Sequence, residues 1–130
     1  GAISAWKHLI IAQPAEVEVV AAICRRARSP DLLQRISVTT RDRAIALFRT
    51  DLRRDYAIIP VTAEVYTHAG DLCTVHALRA YDAIQVACAI AARNELTKVG
   101  VALVFVSADT QLLSVAIAEG FTVEDPNRHG

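Results

Sequence analysis

No methionine occurs in the 130 residues, and aromatic side chains make up only 5% of them. The first absence leads us to expect that Gly1 is not the natural start, the chain being processed, cleaved from a tag, or a fragment lacking its upstream part. The second, beside a hydrophobic content of 53%, describes an aliphatic core rich in alanine and valine. No apolar run reaches the roughly 18 residues needed to cross a bilayer as a helix, and no signal-peptide pattern opens the chain. Cys24, Cys73 and Cys88 cannot all pair, and none forms a Cys-x-x-Cys. They read as reduced core thiols of a cytoplasmic protein. Histidines 8, 68, 76 and 129 lack zinc-ligand spacing and read as surface or packing residues. Neither a GxGxxG fingerprint nor a P-loop is present, so nucleotide binding has no support.

What is present is a chain of one-domain length, with apolar runs that alternate between strand and helix character. Residues 8–12 form a short apolar strand. Gln13-Pro14-Ala15-Glu16 then opens a helix to about Arg28, where Ser29-Pro30 stops it. Glu16 stands where a carboxylate reaches back to the helix cap. Val17, Val20, Ala21 and Cys24 make that helix's apolar stripe, widened by Val19 and Ile23. A short helix over 31–36 is followed by one over about 40–54, with Ala44, Leu47, Phe48 and Leu52 facing inward. A second strand covers 57–61, and a helix runs from Thr62 to about His76. The next helix, which Asp82 opens, ends near Leu96. Its run Ala-Ile-Gln-Val-Ala-Cys-Ala is apolar nearly all round, with Ile84, Ala87, Cys88 and Ala91 on one face, which marks a core helix. A strand over 101–106, a helix over 110–119 ending at Gly120, and a strand over 121–123 complete the chain. This alternation predicts an α/β fold with a mainly parallel sheet covered by helices on both faces.

Net charge is zero but unevenly spread. Between residues 25 and 54 nine arginines face three aspartates, while the remainder carries eleven acidic and five basic residues. A basic segment beside an acidic remainder suits a polyanion held near a cation-binding pocket, or simply two solvated helix faces.

Three carboxylates stand out. Asp109 lies just past the carboxyl end of the 101–106 strand, where ligands bind in parallel α/β sheets, although it also suits the N-cap of the next helix. Asp82 stands at a helix entrance, as cap, as ligand, or as both. Glu18 sits among Pro14, Ala15, Val17, Val19, Ala21 and Ala22, with no basic residue one turn away. Such an acid either leans to solvent on a narrow polar face or has a cation.

Glu18-Val19-Val20-Ala21-Ala22-Ile23-Cys24-Arg25-Arg26, Leu78-Arg79-Ala80-Tyr81-Asp82-Ala83-Ile84-Gln85-Val86-Ala87 and Phe105-Val106-Ser107-Ala108-Asp109, with Gly120-Phe121 and Asp125-Pro126, together resemble the PIN domain family. The nearest branch is the VapC-type toxins. The resemblance spans nearly the whole chain, 1–130, as a single PIN-like domain, and implies a three-layer sandwich whose parallel sheet is flanked by helices. It implies Mg²⁺- or Mn²⁺-dependent hydrolysis of RNA phosphodiesters, in a toxin paired with an antitoxin protein. It maps Glu18, Asp82 and Asp109 to catalytic, metal-holding acids and Ser107 to a supporting hydroxyl. Arg25, Arg26 and Arg79 are mapped to the RNA backbone. Hard divalent cations take carboxylate oxygen and water, and they lower the pKa of a bound water while neutralising phosphate charge.

The family's first strand, which ends in an Asp, has no counterpart here, since no Asp or Glu precedes Glu16. Ser4-Ala5 follows no acid. Either the natural gene continues upstream or this is a shortened member with a defective site. Loss of a central strand would bare a sheet edge, which predicts a homodimer or a rearranged N-terminal segment that covers it. A non-catalytic PIN-like module that binds RNA or a protein is the second expectation.

Overall fold

The computed structural model describes residues 9–128. The expectations that touch Gly1, Ser4-Ala5, His8 and His129 lie outside these residues. The chain divides into two compact units, Gly1–Pro60 and Val61–Gly130.

In the first unit, strand β1 (Leu9–Ala12) runs straight into helix α1 (Gln13–Ala27), and helix α2 (Val38–Asp55) runs straight into strand β2 (Tyr56–Ile59). The strands pair in parallel, with Leu9 opposite Tyr56 and Ala12 opposite Ile59, so the two helices form the crossover that parallel pairing requires. Pro14 falls in the first turn of α1, where its missing N–H costs no helical bond. Glu16 does not reach back to the cap. Its Oε1 lies 4.0 Å from Nε of Arg49 on α2, an exposed pair. The α1 stripe is shifted from the expected one: Ala15 is buried, whereas Val17 is 70% exposed. On α2, Leu52 is buried and Ala44 and Phe48 are half-buried, at four-residue spacing. Leu47, expected inward, is 65% exposed because it lies a quarter-turn off that line.

Two boundaries differ for local reasons. Residues 31–36 are turns, not a helix. Asp31 Oδ1 accepts the Leu33 N–H at 3.0 Å, competing with helical bonding, and the Ile36 N–H donates away to the Arg26 carbonyl. Helix α2 starts two residues early because Ser37 is its cap: Oγ accepts the Thr40 N–H at 3.0 Å.

In the second unit, helices α3 (Ala63–Val75) and α4 (Ala80–Thr97) pack on each other. Thr62 caps α3 by accepting the Val65 N–H at 3.2 Å. Val65, Ala69 and Leu72 form the buried stripe of α3. On α4 the buried set is Ala83, Val86, Ala87, Cys88, Ile90 and Ala92, small enough to allow close approach, while Ile84 and Ala91 are half-buried. Of the three cysteines expected in the core, Cys88 alone is buried; Cys73 is exposed, one position past the buried stripe of α3. Strand β3 (Val104–Val106), helix α5 (Thr110–Ala118) and strand β4 (Thr122–Glu124) complete the unit, with β3 and β4 parallel and a 3₁₀ turn at Pro126–Arg128.

The expected strand over 101–106 loses its first half to the end of α4. There the Val101 N–H bonds to the Leu96 carbonyl and the Gly100 N–H to Thr97, with Gly100 at φ +73°. This Schellman closure takes the Val101 N–H, the first donor that a ladder would need. The same closure ends α5, with Gly120 at φ +90° and the Phe121 N–H on the Ala116 carbonyl, which moves the last strand to begin at Thr122. Phe121 is buried against Phe105 at 5.5 Å between centroids, and the Arg93 guanidinium sits 4.2 Å above its ring. Among the described residues the strands thus form two two-stranded parallel sheets, and the class is α/β.

Candidate functional site

The second unit brings Asp82 and Asp109 to one pocket of about 160 Å³. Its wall is the turn between α3 and α4 (Ala77, Leu78, Arg79), the first turn of α4, and the start of α5 with Gln111 and Leu112. Three local structures place these groups.

Helix α4 begins one residue after Arg79, so Asp82 occupies its third position and does not cap it. The expectation of an Asp82 cap fails because the chain turns helical at Ala80. An acid in the first turn still gains from the partial positive charge of the helix N-terminus. Asp82 Oδ2 lies 3.4 Å from Nε of Arg79, whose side chain is 84% exposed against 17% for the aspartate. The acid is held in the wall, and the arginine lies mostly in solvent at the rim.

Asp109 is the cap of α5. Its Oδ1 accepts the Gln111 N–H at 2.9 Å and the Leu112 N–H at 3.2 Å. Both bonds use one oxygen, so Oδ2 is uncommitted among the described residues. The Ser107 hydroxyl holds the backbone: its Oγ accepts the Asp109 N–H at 3.0 Å, which fixes the bend between β3 and α5. The Ser107 N–H extends the ladder to the Glu124 carbonyl. Asp109 therefore stands at the carboxyl end of β3, in the position expected for a ligand-facing residue.

Gln111 carries no signal of its role in the sequence. Its Nε2 donates to the Ala77 carbonyl at 3.1 Å and fastens α5 to the α3–α4 turn, closing one side of the pocket. A second tie joins the far end of α5 to the same turn, with His76 Nε2 and Glu119 Oε2 2.8 Å apart and both half-buried. Arg93 of α4 adds a third by donating to the Glu119 carbonyl at 2.8 Å. Gln111, Val115 and Glu119 recur every four residues, so one stripe of α5 carries the first two ties with buried Val115 between them. Sequence spacing alone reveals the stripe but not its partner.

Glu18, Arg25 and Arg26 belong to the first unit. Glu18 is exposed on α1 and makes no ion pair or hydrogen bond among the described residues. Solvation thus removes the cost that would call for a cation partner. Arg25 and Arg26 are exposed near the end of α1, and Arg26 Nε donates to the Gln34 carbonyl at 2.9 Å.

Among the described residues, no group of three or more His, Cys, Asp or Glu side chains gathers to hold a metal ion. The pair in the pocket nevertheless suits a hard divalent cation in its donor chemistry. Magnesium keeps several waters and is commonly bound by one or two carboxylates together with substrate phosphate. Among the described residues no helix is long and apolar enough to cross a membrane. No family model matches the chain, and neither a curated protein nor a solved structure matches it.

Proposed function

We propose that the chain is a PIN-like, metal-dependent ribonuclease of the toxin–antitoxin type, with its site at the Asp82–Asp109 pocket. The observation that carries the reading is that these two acids, far apart in sequence, line one small pocket at the carboxyl end of a parallel strand. In this reading the fold is the three-layer sandwich of that family. Asp82 and Asp109 are the residues that would hold Mg²⁺ or Mn²⁺. When bound, such an ion supplies charge neutralisation at a phosphate and a nucleophile at neutral pH. Arg79, at the rim and mostly exposed, would pair with two non-bridging oxygens of a phosphate, the fork geometry that guanidinium favours. Arg25 and Arg26, exposed on the first unit, contact RNA phosphates. Ser107 supports the site indirectly, through the backbone of Asp109. The partners are RNA, an antitoxin and a second copy of the chain, in the cytoplasm.

The test is RNA cleavage by the protein with and without Mn²⁺. Asp82→Asn is expected to abolish Mn²⁺-dependent cleavage, and cleavage that survives the substitution removes Asp82 from the chemistry. A second reading, a PIN-like module that binds RNA or protein without turnover, is favoured by one observation: only two acids meet in the pocket. RNA retention without cleavage, and no rise in melting temperature with millimolar Mn²⁺, would select it.

A further inference from the structure

The turn between α1 and α2 holds the least expected surface of the molecule. Leu32 is 73% exposed and Leu33 96% exposed, and Val38 at the start of α2 adds a third apolar side chain at 58%. This is not a loose loop. The Arg35 and Gln34 N–H groups both bond to the Asp31 carbonyl, the Asp31 N–H to Ser29 Oγ, and the Ile36 N–H to Arg26. Arg26 Nε adds a bond to the Gln34 carbonyl. The backbone is therefore tied to the end of α1 while two adjacent leucines are held in water. An ordered turn that presents large apolar side chains outward marks a contact surface.

Its surroundings define the contact. Between residues 25 and 43 there are six arginines, no lysine and two aspartates. Arg28 and Arg35 are exposed and make no ion pair among the described residues. Asp42 is paired with Arg41 at 2.9 Å, and Asp31 is engaged by the turn. The local surplus of positive charge is thus open to solvent. At physiological salt a Debye length of about 8 Å keeps distant acids from cancelling it.

We propose that this leucine turn docks the protein on an anionic phospholipid surface. Leu33 touches almost nothing of its own chain, so whatever covers it must wrap a convex point, as the fluid boundary of a bilayer does. Arginine stems lie along apolar matter while their guanidinium groups stay with the headgroups, and each fork pairs with a phosphate. The turn has no aromatic side chain on which a nucleic-acid base could stack. The contact is with a surface only, since no described helix is long and apolar enough to cross a membrane. The proposal does not depend on the acid pair.

The test is co-sedimentation of the full chain with vesicles of phosphatidylcholine, with and without phosphatidylglycerol. Binding to the anionic vesicles alone, weakened by salt, is expected. Leu33→Ser should lower the partition coefficient about tenfold or more, and Leu32→Ser combined with it further still. Both leucines are exposed, so the melting temperature should be unchanged, which separates lost docking from lost folding. Arg28→Gln with Arg35→Gln should weaken anionic binding with the leucines intact. The idea is overturned if the protein stays in solution with anionic vesicles, or binds neutral vesicles equally well. It is also overturned if Leu33→Ser binds like the parent, or if the leucine turn is instead needed for binding an RNA stem-loop or an acidic protein.

Discussion

Asp109 is asked to do two things, to cap α5 and to hold a cation, and substitution can separate them. The cap uses Oδ1, which accepts two backbone N–H groups at 2.9 and 3.2 Å. Asparagine retains a carbonyl oxygen there and ranks with aspartate as a cap, so Asp109→Asn should cost less than about 1 kcal/mol. The neutral side chain forgoes only its attraction to the helix N-terminus, about 0.3–1 kcal/mol at an exposed site. Alanine removes both bonds, and Asp109→Ala should cost about 1–2 kcal/mol. Urea unfolding without metal measures this as a shift in midpoint at constant slope. With Mn²⁺ at ten times its dissociation constant, the parent should gain about 1.4 kcal/mol from binding to the folded state alone. Asp109→Asn should gain much less, because an amide oxygen is a poorer ligand for a hard cation than a carboxylate. If Asp109→Asn destabilises as much as the alanine variant, the cap geometry is not what holds α5. If it keeps the whole Mn²⁺ gain, Asp109 is not a ligand.

Three further outcomes follow from the second unit. Ala87 has no exposed surface, so Ala87→Leu should overpack the helix and cost about 1–3 kcal/mol by urea titration. Gly120→Ala should cost about 1–2 kcal/mol through backbone strain at φ +90°, since the added Cβ would meet only Arg93 Nη1 at an ordinary 3.5 Å. Stability equal to the parent would show that the turn relaxes to negative φ. Burial pushes the Cys88 thiol up, leaving less thiolate than an open cysteine at a given pH. A maleimide near pH 8 should therefore modify exposed Cys73 quickly and Cys88 only as the protein unfolds. Equal rates at the two cysteines would contradict the burial.

The helices are the legible part of the fold, because their signals are local. Pro14 in a first turn, Ser29-Pro30 after α1, Thr62 before α3 and Gly120 after α5 act within a few residues of themselves. The failures also have local causes, but of a kind that apolar periodicity does not carry. Asp31 diverts the bonds of an expected helix, and the closure at Gly100 takes the first donor of an expected strand. Val17 and Leu47 read as inward from spacing and lie outward, since residues a quarter-turn apart on an aliphatic helix look alike in sequence. Asp109 is readable as both cap and ligand candidate. Asp82 is readable as an acid at a helix entrance, but its place in the turn depends on where the backbone first becomes helical.

By itself, then, the sequence determined the alternation of strands and helices, the aliphatic small-residue core of α4, and the acids worth attention, because periodicity, capping and charge are written in neighbouring residues. Tertiary structure decided the rest. Gln111 meets Ala77 across 34 positions and His76 meets Glu119 across 43, and these ties set Asp82 and Asp109 around one pocket. It also decided that Glu18 is solvated and that Leu32 and Leu33 face water. Partners so distant are chosen by packing of the whole unit, which no local pattern encodes.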